Sequence, residues 1–480
     1  MNTLSWYMQD FIESNATFIA GQWAFIKLLG LCYLLAFWSL FIQVKGLYGS
    51  KGILPMKEIF SGMRRSKTYT HYLKTPSIFW ISTSDRMLKG VALVGIIGAS
   101  LVLCGVAVSW MLFILCLLYL SYVSPSLYFL SFQWDVLLIE VGFAGFLLSL
   151  QSPPLPIAVF LLWVILFRLM FSSGIVKFLL GSQEWRNLSA MQYHYETQPL
   201  PNKIAYFFHH QPKWLSQLST LAVFFFEIIL PFFIFTNPDF RVYTFLILVL
   251  FQSILILTGN FTFFNGLTIA LSFMLLEDNY LPWLQPYLPL SNSPRELSTS
   301  LWVSISAISL IVLNFFQLVQ LFRSLPLVER VFAIISPFYL VNKYGLFSCM
   351  VTRRYEIEVQ GSEDGRTWKI YEFKWKPGNL KISPRQAAPY QPRLDWQLWF
   401  AALGEVKHNP WFTRFIYRLM ENSPEVVKLM KNNPFPDKPP TYMRANLYEY
   451  HFTTLQEKKE SGNWWKRHYV GIYLPPVSKS

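Results

Sequence analysis

The sequence predicts a polytopic α-helical membrane bundle of about eight or nine spans over residues 1–345, followed by a soluble α+β, β-rich C-terminal domain over 346–480. Three observations predict it. Of the 480 residues 53% are hydrophobic and only 14% charged, against roughly 25% charged in soluble chains. Apolar runs of spanning length recur as far as residue 322 and then stop. Past residue 345 charges become frequent and side-chain character alternates with the period of a half-buried strand.

A span needs roughly 20 mostly apolar residues. The runs 25–44, 157–180, 221–235, 242–257 and 301–322 meet this with their flanks. The block 90–133 is too long for one crossing and reads as two helices. A shorter, more polar helix follows at 135–150, and "FNGLTIALSFMLL" (264–276) is a further candidate. The first apolar run starts too late, and lacks the basic flank, for a cleavable signal peptide. Polar loops separate the helices at 45–89 and 181–214. The first holds nine Lys or Arg and the first 24 residues hold none, which by charge bias alone puts 45–89 in the cytoplasm.

In the C-terminal domain, "YEIEV" and "YEFKW" flank "GSEDG", whose Asp364-Gly365 step favours a turn. This predicts a hairpin with Tyr371, Phe373 and Trp375 on one face and Glu372 and Lys374 on the other. "LDWQLWFAAL" and "PWFTRFIYRLM" read as helices. So does the stretch opening at Ser423-Pro424, with Ser423 as N-cap. "RANLYEYHFT" (444–453) and "HYVGIYL" (468–474) read as closing strands.

The net charge of +14 is scattered beside the spans, with no basic stripe and no groove-entering motif. Membrane lipid headgroups, not nucleic acid, are therefore the expected anionic partner. The four cysteines contain no C-x-x-C, and the triplets at Asn15, Asn187 and Asn260 are no more than chance yields. No hydrolase, phosphate-loop or dinucleotide signature occurs. Adjacent His209 and His210 read as hydrogen-bonded interfacial residues, with no metal site expected.

Ionisable groups at membrane depth cost roughly 2.5–3.5 kcal/mol each, so Asp135, Glu140, Arg168, Lys177 and Glu227 need a reason. Mutual neutralisation is one. The other is a shared polar chamber, joined by Glu184 and Arg186 and capped by the loop bearing His194, Tyr195, Glu196 and Gln198. Arg168 and Lys177, nine residues apart, fall about half a turn out of phase. Lys177 and Glu184 share a face if the helix continues past Gly181, and Gln133 and Glu140 share one with Asp135 pointing elsewhere. His194 and Glu196 would then be tethered to Lys177 or Arg186. A desolvated lysine here could act as a base.

The stretch 167–215, "FRLMFSSGIVKFLLGSQEWRNLSAMQYHYETQPLPNKIAYFFHHQPKWL", closely resembles the lipase maturation factor family. So do "LTGNFTFFN" (257–265), "PYQPRLDWQLWFAAL" (389–403), "PPTYMRANLYEYHFT" (439–453) and "WWKRHYVG" (464–471). The resemblance implies a multi-pass protein of the endoplasmic reticulum membrane, or of the cytoplasmic membrane in a bacterial member. It implies a chaperone-like maturation factor for secreted clients such as a lipase, without a cofactor. Animal members carry cysteines near Trp185; here Glu184 and Ala190 stand at those points, against a thiol-exchange mechanism.

"GLYGSKGILP" (46–55) and "GIVKFLLGSQEWRNLSAM" (174–191) also resemble vitamin K-dependent carboxylases and related horizontally transferred transmembrane (HTTM) domains. That likeness puts Lys177 at the position of a catalytic base acting on a lipid-soluble quinone, the alternative function. It also puts 45–89 on the lumenal side, against the charge bias.

Overall fold

The computed structural model describes residues 17–65, 70–288 and 297–478. Six helices are long and apolar enough to cross a membrane. They are α1 (Ile19–Tyr48), α2 (Asp85–Cys104), a helix within 156–179, the composite Lys213–Phe235, Pro238–Thr258 and Leu297–Val319. The block after residue 90 does divide, into α2 and α3 (Val108–Val123). Gly105 turns the chain between them at φ +82°, a conformation open to glycine. The expected count of eight or nine is not reached on length: α3, α4 (Gln133–Ser149) and Phe264–Leu275 are shorter than a full crossing.

α4 shows why the count drops. Its side chains are buried almost throughout, so it sits within the bundle and its hydrophobicity reports protein contact, not lipid contact. Tyr33 of α1 lies against Gly142 of α4 and donates to the Leu138 carbonyl at 3.0 Å. Phe37 likewise lies on Gly95 of α2. Helices surrounded by lipid gain little from burial and rely on such close approach at small residues.

Next come α5 (Pro156–Leu179), two loop helices, α6 (Ala190–Thr197) and α7 (Lys203–His209), and then α8 (Lys213–Phe224). α8 runs into a π-helical turn at Phe225–Ile229 and a 3₁₀ segment containing Pro231. α9 (Pro238–Thr258), α10 (Phe264–Ser272) and α11 (Leu297–Val319) complete the bundle.

The C-terminal part is a four-stranded antiparallel sheet in the order β2-β1-β3-β4, with β1 Arg354–Ser362, β2 Lys369–Tyr371, β3 Tyr442–Phe452 and β4 Trp465–Ser478. The hairpin turn falls at Asp364-Gly365: the Asp364 carboxylate accepts from the Arg366 and Thr367 amides, both at 2.8 Å, and Gly365 takes φ +72°. β2 is shorter than expected and ends at Tyr371. The Asp395 carboxylate draws the chain away by accepting from the Trp375 and Lys376 amides at 2.9 and 3.0 Å. Tyr371 and Phe373 are buried and Trp375 half-buried.

α12 (Arg393–Ala402) and α13 (Pro410–Met420) contribute the buried Trp396, Trp411 and Phe412. Ser423 does not cap as expected. Its hydroxyl donates to the Lys51 carbonyl at 2.7 Å, and the following helix is only Pro424–Val427.

That last contact belongs to a larger pattern. Arg418 donates to the Gly52 carbonyl at 2.8 Å, and Arg414 pairs with Glu58. The basic 45–89 segment, the 181–214 loop and the sheet therefore meet on one face of the bundle.

Candidate functional site

The intramembrane charges form separate pairs. Arg393, from α12, forks onto Asp135 at 2.8 and 3.0 Å and also donates to the Phe129 carbonyl at 2.6 Å. Arg168 pairs with Glu140, whose other oxygen accepts from Asn342 at 2.9 Å and Tyr344 at 2.7 Å. Lys177 pairs with Glu227 at 2.6 Å. A further pair, Arg241 with Glu277 at 2.5 Å, was not singled out from the sequence. One shared chamber is thus replaced by neutral pairs distributed through the bundle. Each carboxylate has its own cation, which removes the reason for the others to converge.

Glu184 and Arg186 do not join Lys177. α5 ends at Leu179, and the chain then passes so close to the Lys177 carbonyl that a side chain at Gly181 would strike it. Beyond it Glu184 is half-buried, and Arg186 is exposed and donates to the Leu179 carbonyl at 3.3 Å.

Lys177, Glu227 and His194 do share a cavity of about 90 Å³. Its wall is otherwise mainly carbon, from Trp185, Val223, Phe251, Leu255 and Phe261 among others. Glu227 lies within the π-helical turn, a distortion that often marks functional sites. Gly174 lets that turn approach, since a Cβ there would sit 2.7 Å from the Glu227 Cβ. The Lys177 ammonium also lies 5.5 Å from the Trp185 ring. A base at Lys177 would first have to break the ion pair with Glu227.

His194 is 7% exposed and packed among Tyr195, Phe261 and Phe347. Burial, with Lys177 adding to it, pushes its imidazole down to about 4, so it is neutral at physiological pH. It lines the cavity of Lys177 without bonding to it.

The rest of the loop turns toward the sheet. Glu196 accepts from the Phe452 amide at 2.6 Å and lies 3.4 Å from His451 and 3.7 Å from His209, in place of the expected tie to Lys177 or Arg186. Burial alone would raise its carboxyl, but the bonds from His451 and Phe452 and the nearby His209 outweigh it and hold it low. Buried Arg354 donates to the carbonyls of Glu196, Gln198 and Pro199. The Gln198 amide reaches the Thr258 carbonyl at 2.9 Å. Tyr195 is buried against Phe208. His210 sits between the carbonyls of Tyr206 (2.7 Å) and Thr453 (3.0 Å). His209 faces Phe452.

The sequence reading missed Arg354, Arg393, Trp399 and Asn260. Trp399 donates to the Thr197 carbonyl at 2.8 Å. Asn260 ties the Leu200 and Arg385 carbonyls together, each at 2.9 Å. The partners named here lie 60 to 264 residues away, so no local spacing reveals them. "PRLDW" and "LTGNFTFFN" marked the segments but not the roles.

Known proteins match the sequence over most of the chain. The lipase maturation factor transmembrane domain matches residues 20–283, and the lipase maturation factor C-terminal domain matches 340–475. Lipase maturation factor 2 of Xenopus tropicalis is 32% identical, over 93% of this chain and 80% of its own length. Lipase maturation factor 1 of Bos taurus is 31% identical, over 96% and 90%. Lipase maturation factor 2 of Homo sapiens is 30% identical, over 95% and 82%. No solved structure matches the chain. With a bundle and a sheet joined by the histidine-bearing loop, and both matched in order, the chain belongs to the lipase maturation factor family.

Proposed function

We propose that this chain is a maturation factor of the endoplasmic reticulum membrane that helps secreted clients, lipases by kinship, to fold and assemble. The observation that carries the reading is the outer edge of β4. Among the described residues no strand pairs with that edge, and Tyr469, Val470 and Ile472 are exposed along it. Over Trp465–Tyr469, where β4 stays in register with β3 ahead of its bulges and Pro475-Pro476, the unpaired edge offers its N–H and C=O groups to an extended chain, which suits a client whose own strands are not yet paired. The buried contacts of Arg393 and Arg354 hold the sheet against the bundle, so a captured client would stay at the membrane surface.

The test is secretion of a homodimeric lipase from cells lacking their own maturation factor. Val470→Pro puts a proline at the bulge between Tyr469 and Gly471, where it removes an N–H from the exposed stretch and disfavours strand addition without replacing a residue in register with β3. Active secreted lipase is expected to fall while the level of this protein is unchanged. Wild-type secretion with Val470→Pro would overturn the reading.

A further inference from the structure

His194 carries an unanswered hydrogen-bonding capacity. It is more than nine-tenths buried, no hydrogen bond to its ring occurs among the described residues, and its nitrogens are not fully enclosed, so they keep access to open space. A mostly buried polar group that meets no partner but opens onto a cavity calls for an explanation. The ring lines the cavity that also holds Lys177 and Glu227.

The two other amides at the cavity are already engaged: Asn265 donates to Gln252 at 2.8 Å, and Gln252 turns its own amide to the Met170 sulfur. Lys177 spends one N–H on Glu227, and an ammonium has three. The polar capacity left at the cavity is thus a neutral imidazole and the Asn265 amide oxygen beside an ion pair of zero net charge, in a mainly carbon-lined space.

We propose that this cavity is a binding site for a single-chain amphiphile with an uncharged oxygen head, a hydroxyl or a carbonyl. The head would hydrogen-bond His194 and a spare Lys177 N–H. A charged head would upset the neutrality of the Lys177–Glu227 pair, and uncompensated charge at such depth is costly. A phospholipid head also carries charge, which the neutral pair and carbon wall would not compensate. The chain would leave through the wall formed by Val223 and Leu255, whose neighbours Phe225 and Ile254 face outward. The inference is independent of the β4 edge and does not stand or fall with it.

The test uses the full-length protein in lipid nanodiscs and a long-chain fatty alcohol carrying a diazirine on its chain. Photolabel is expected on the peptides 169–177 and 251–268, above the level on lipid-facing 297–319. Unlabelled fatty alcohol should compete and an alkane of equal length should not. His194→Phe should weaken labelling about tenfold, the loss of one hydrogen bond, and His194→Gln should restore most of it. Val223→Phe, which fills the exit, should also reduce it. Competition by a monoacylglycerol but not a long-chain quinone assigns the site to bilayer lipid, and the reverse assigns it to a quinone; either supports the proposal. Equal competition by the alkane, labelling no higher than on 297–319, or full labelling of His194→Phe would overturn it.

Discussion

Arg393 opens the first helix of the soluble domain and closes its guanidinium on Asp135 inside the bundle, at 2.8 and 3.0 Å with both side chains fully buried. The bond joins residues 258 positions apart. Gln43 of α1 supports it, accepting from the Arg393 amide at 3.0 Å and donating to the Gln391 carbonyl at 2.7 Å. The sheet is thereby fixed to the membrane domain by a charge pair that neither part can satisfy alone.

Breaking that pair should be costly. Arg393→Met leaves Asp135 buried without its cation, and losses of about 3–5 kcal/mol are usual for such a change. Thermal unfolding in detergent should show a large drop for Arg393→Met and for Asp135→Leu. The double variant should recover much of it, since two apolar groups leave no orphaned charge. Additive losses would show that the two residues act independently.

Lys177 and Glu227 make a comparable pair at 2.6 Å. Lys177→Met should destabilise by several kcal/mol, and Lys177→Met with Glu227→Leu should do so far less. If the pair is structural, the double variant should still mature a client lipase, measured as secreted activity. Loss of maturation by a stably folded double variant would mean that the pair acts in maturation itself, through the ligand of its cavity or through chemistry at Lys177.

The loop-to-sheet contact should respond to pH in two directions. His451 is raised by its hydrogen bond to Glu196. Its contribution is therefore complete below the ordinary histidine value of about 6.5 and is lost as pH rises through its higher folded value. His209 is lowered, chiefly by burial, so its contribution is complete above about 6.5 and is lost as pH falls through its lower folded value. Glu196, held low, withdraws its share only in more acid solution. Amide exchange over 190–210 should slow least at the two extremes, and His451→Gln should remove the alkaline loss alone. An unchanged alkaline limb in His451→Gln would contradict this assignment.

Sidedness can be read from two thiols. α2 starts at Asp85, which accepts from Ser50 on the sheet side at 2.7 and 2.9 Å, and ends at Cys104 about 30 Å away. Cys349 is exposed beside Ser348, whose carbonyl accepts from the Ser182 amide. With the sheet in the lumen, a membrane-impermeant maleimide added to sealed microsomes should label Cys104 at once and Cys349 only after permeabilisation. The inverse order would place the sheet in the cytosol.

Legibility in the sequence followed the range of the interactions. Gly365 and the strands around it were readable because turn chemistry and period-two burial are local. The two helices within 90–133 were readable from length. The helix count was not, because α4 is apolar through contact with protein and a hydropathy run cannot tell that from lipid. The cost of Asp135, Glu140 and Glu227 was evident, and so was their pairing with Arg168 and Lys177 as one of two readings; which carboxylate each cation takes, and Arg393 as the partner of Asp135, were not. Arg393 and Glu227 stand on elements whose placement depends on the whole fold. Leu179 shows the same limit in miniature: whether Glu184 could reach Lys177 depended on where the helix ends.

The edge of β4 is where the functional account is most exposed to test. A photocrosslinking amino acid placed at Ile472, in the full chain and in intact microsomes translating a secreted lipase, should yield an adduct with the newly made lipase. The same group at Ile370, on the short strand at the opposite edge, should yield far less. An adduct at Ile370 but none at Ile472, or none at either while lipase maturation proceeds, would contradict the account.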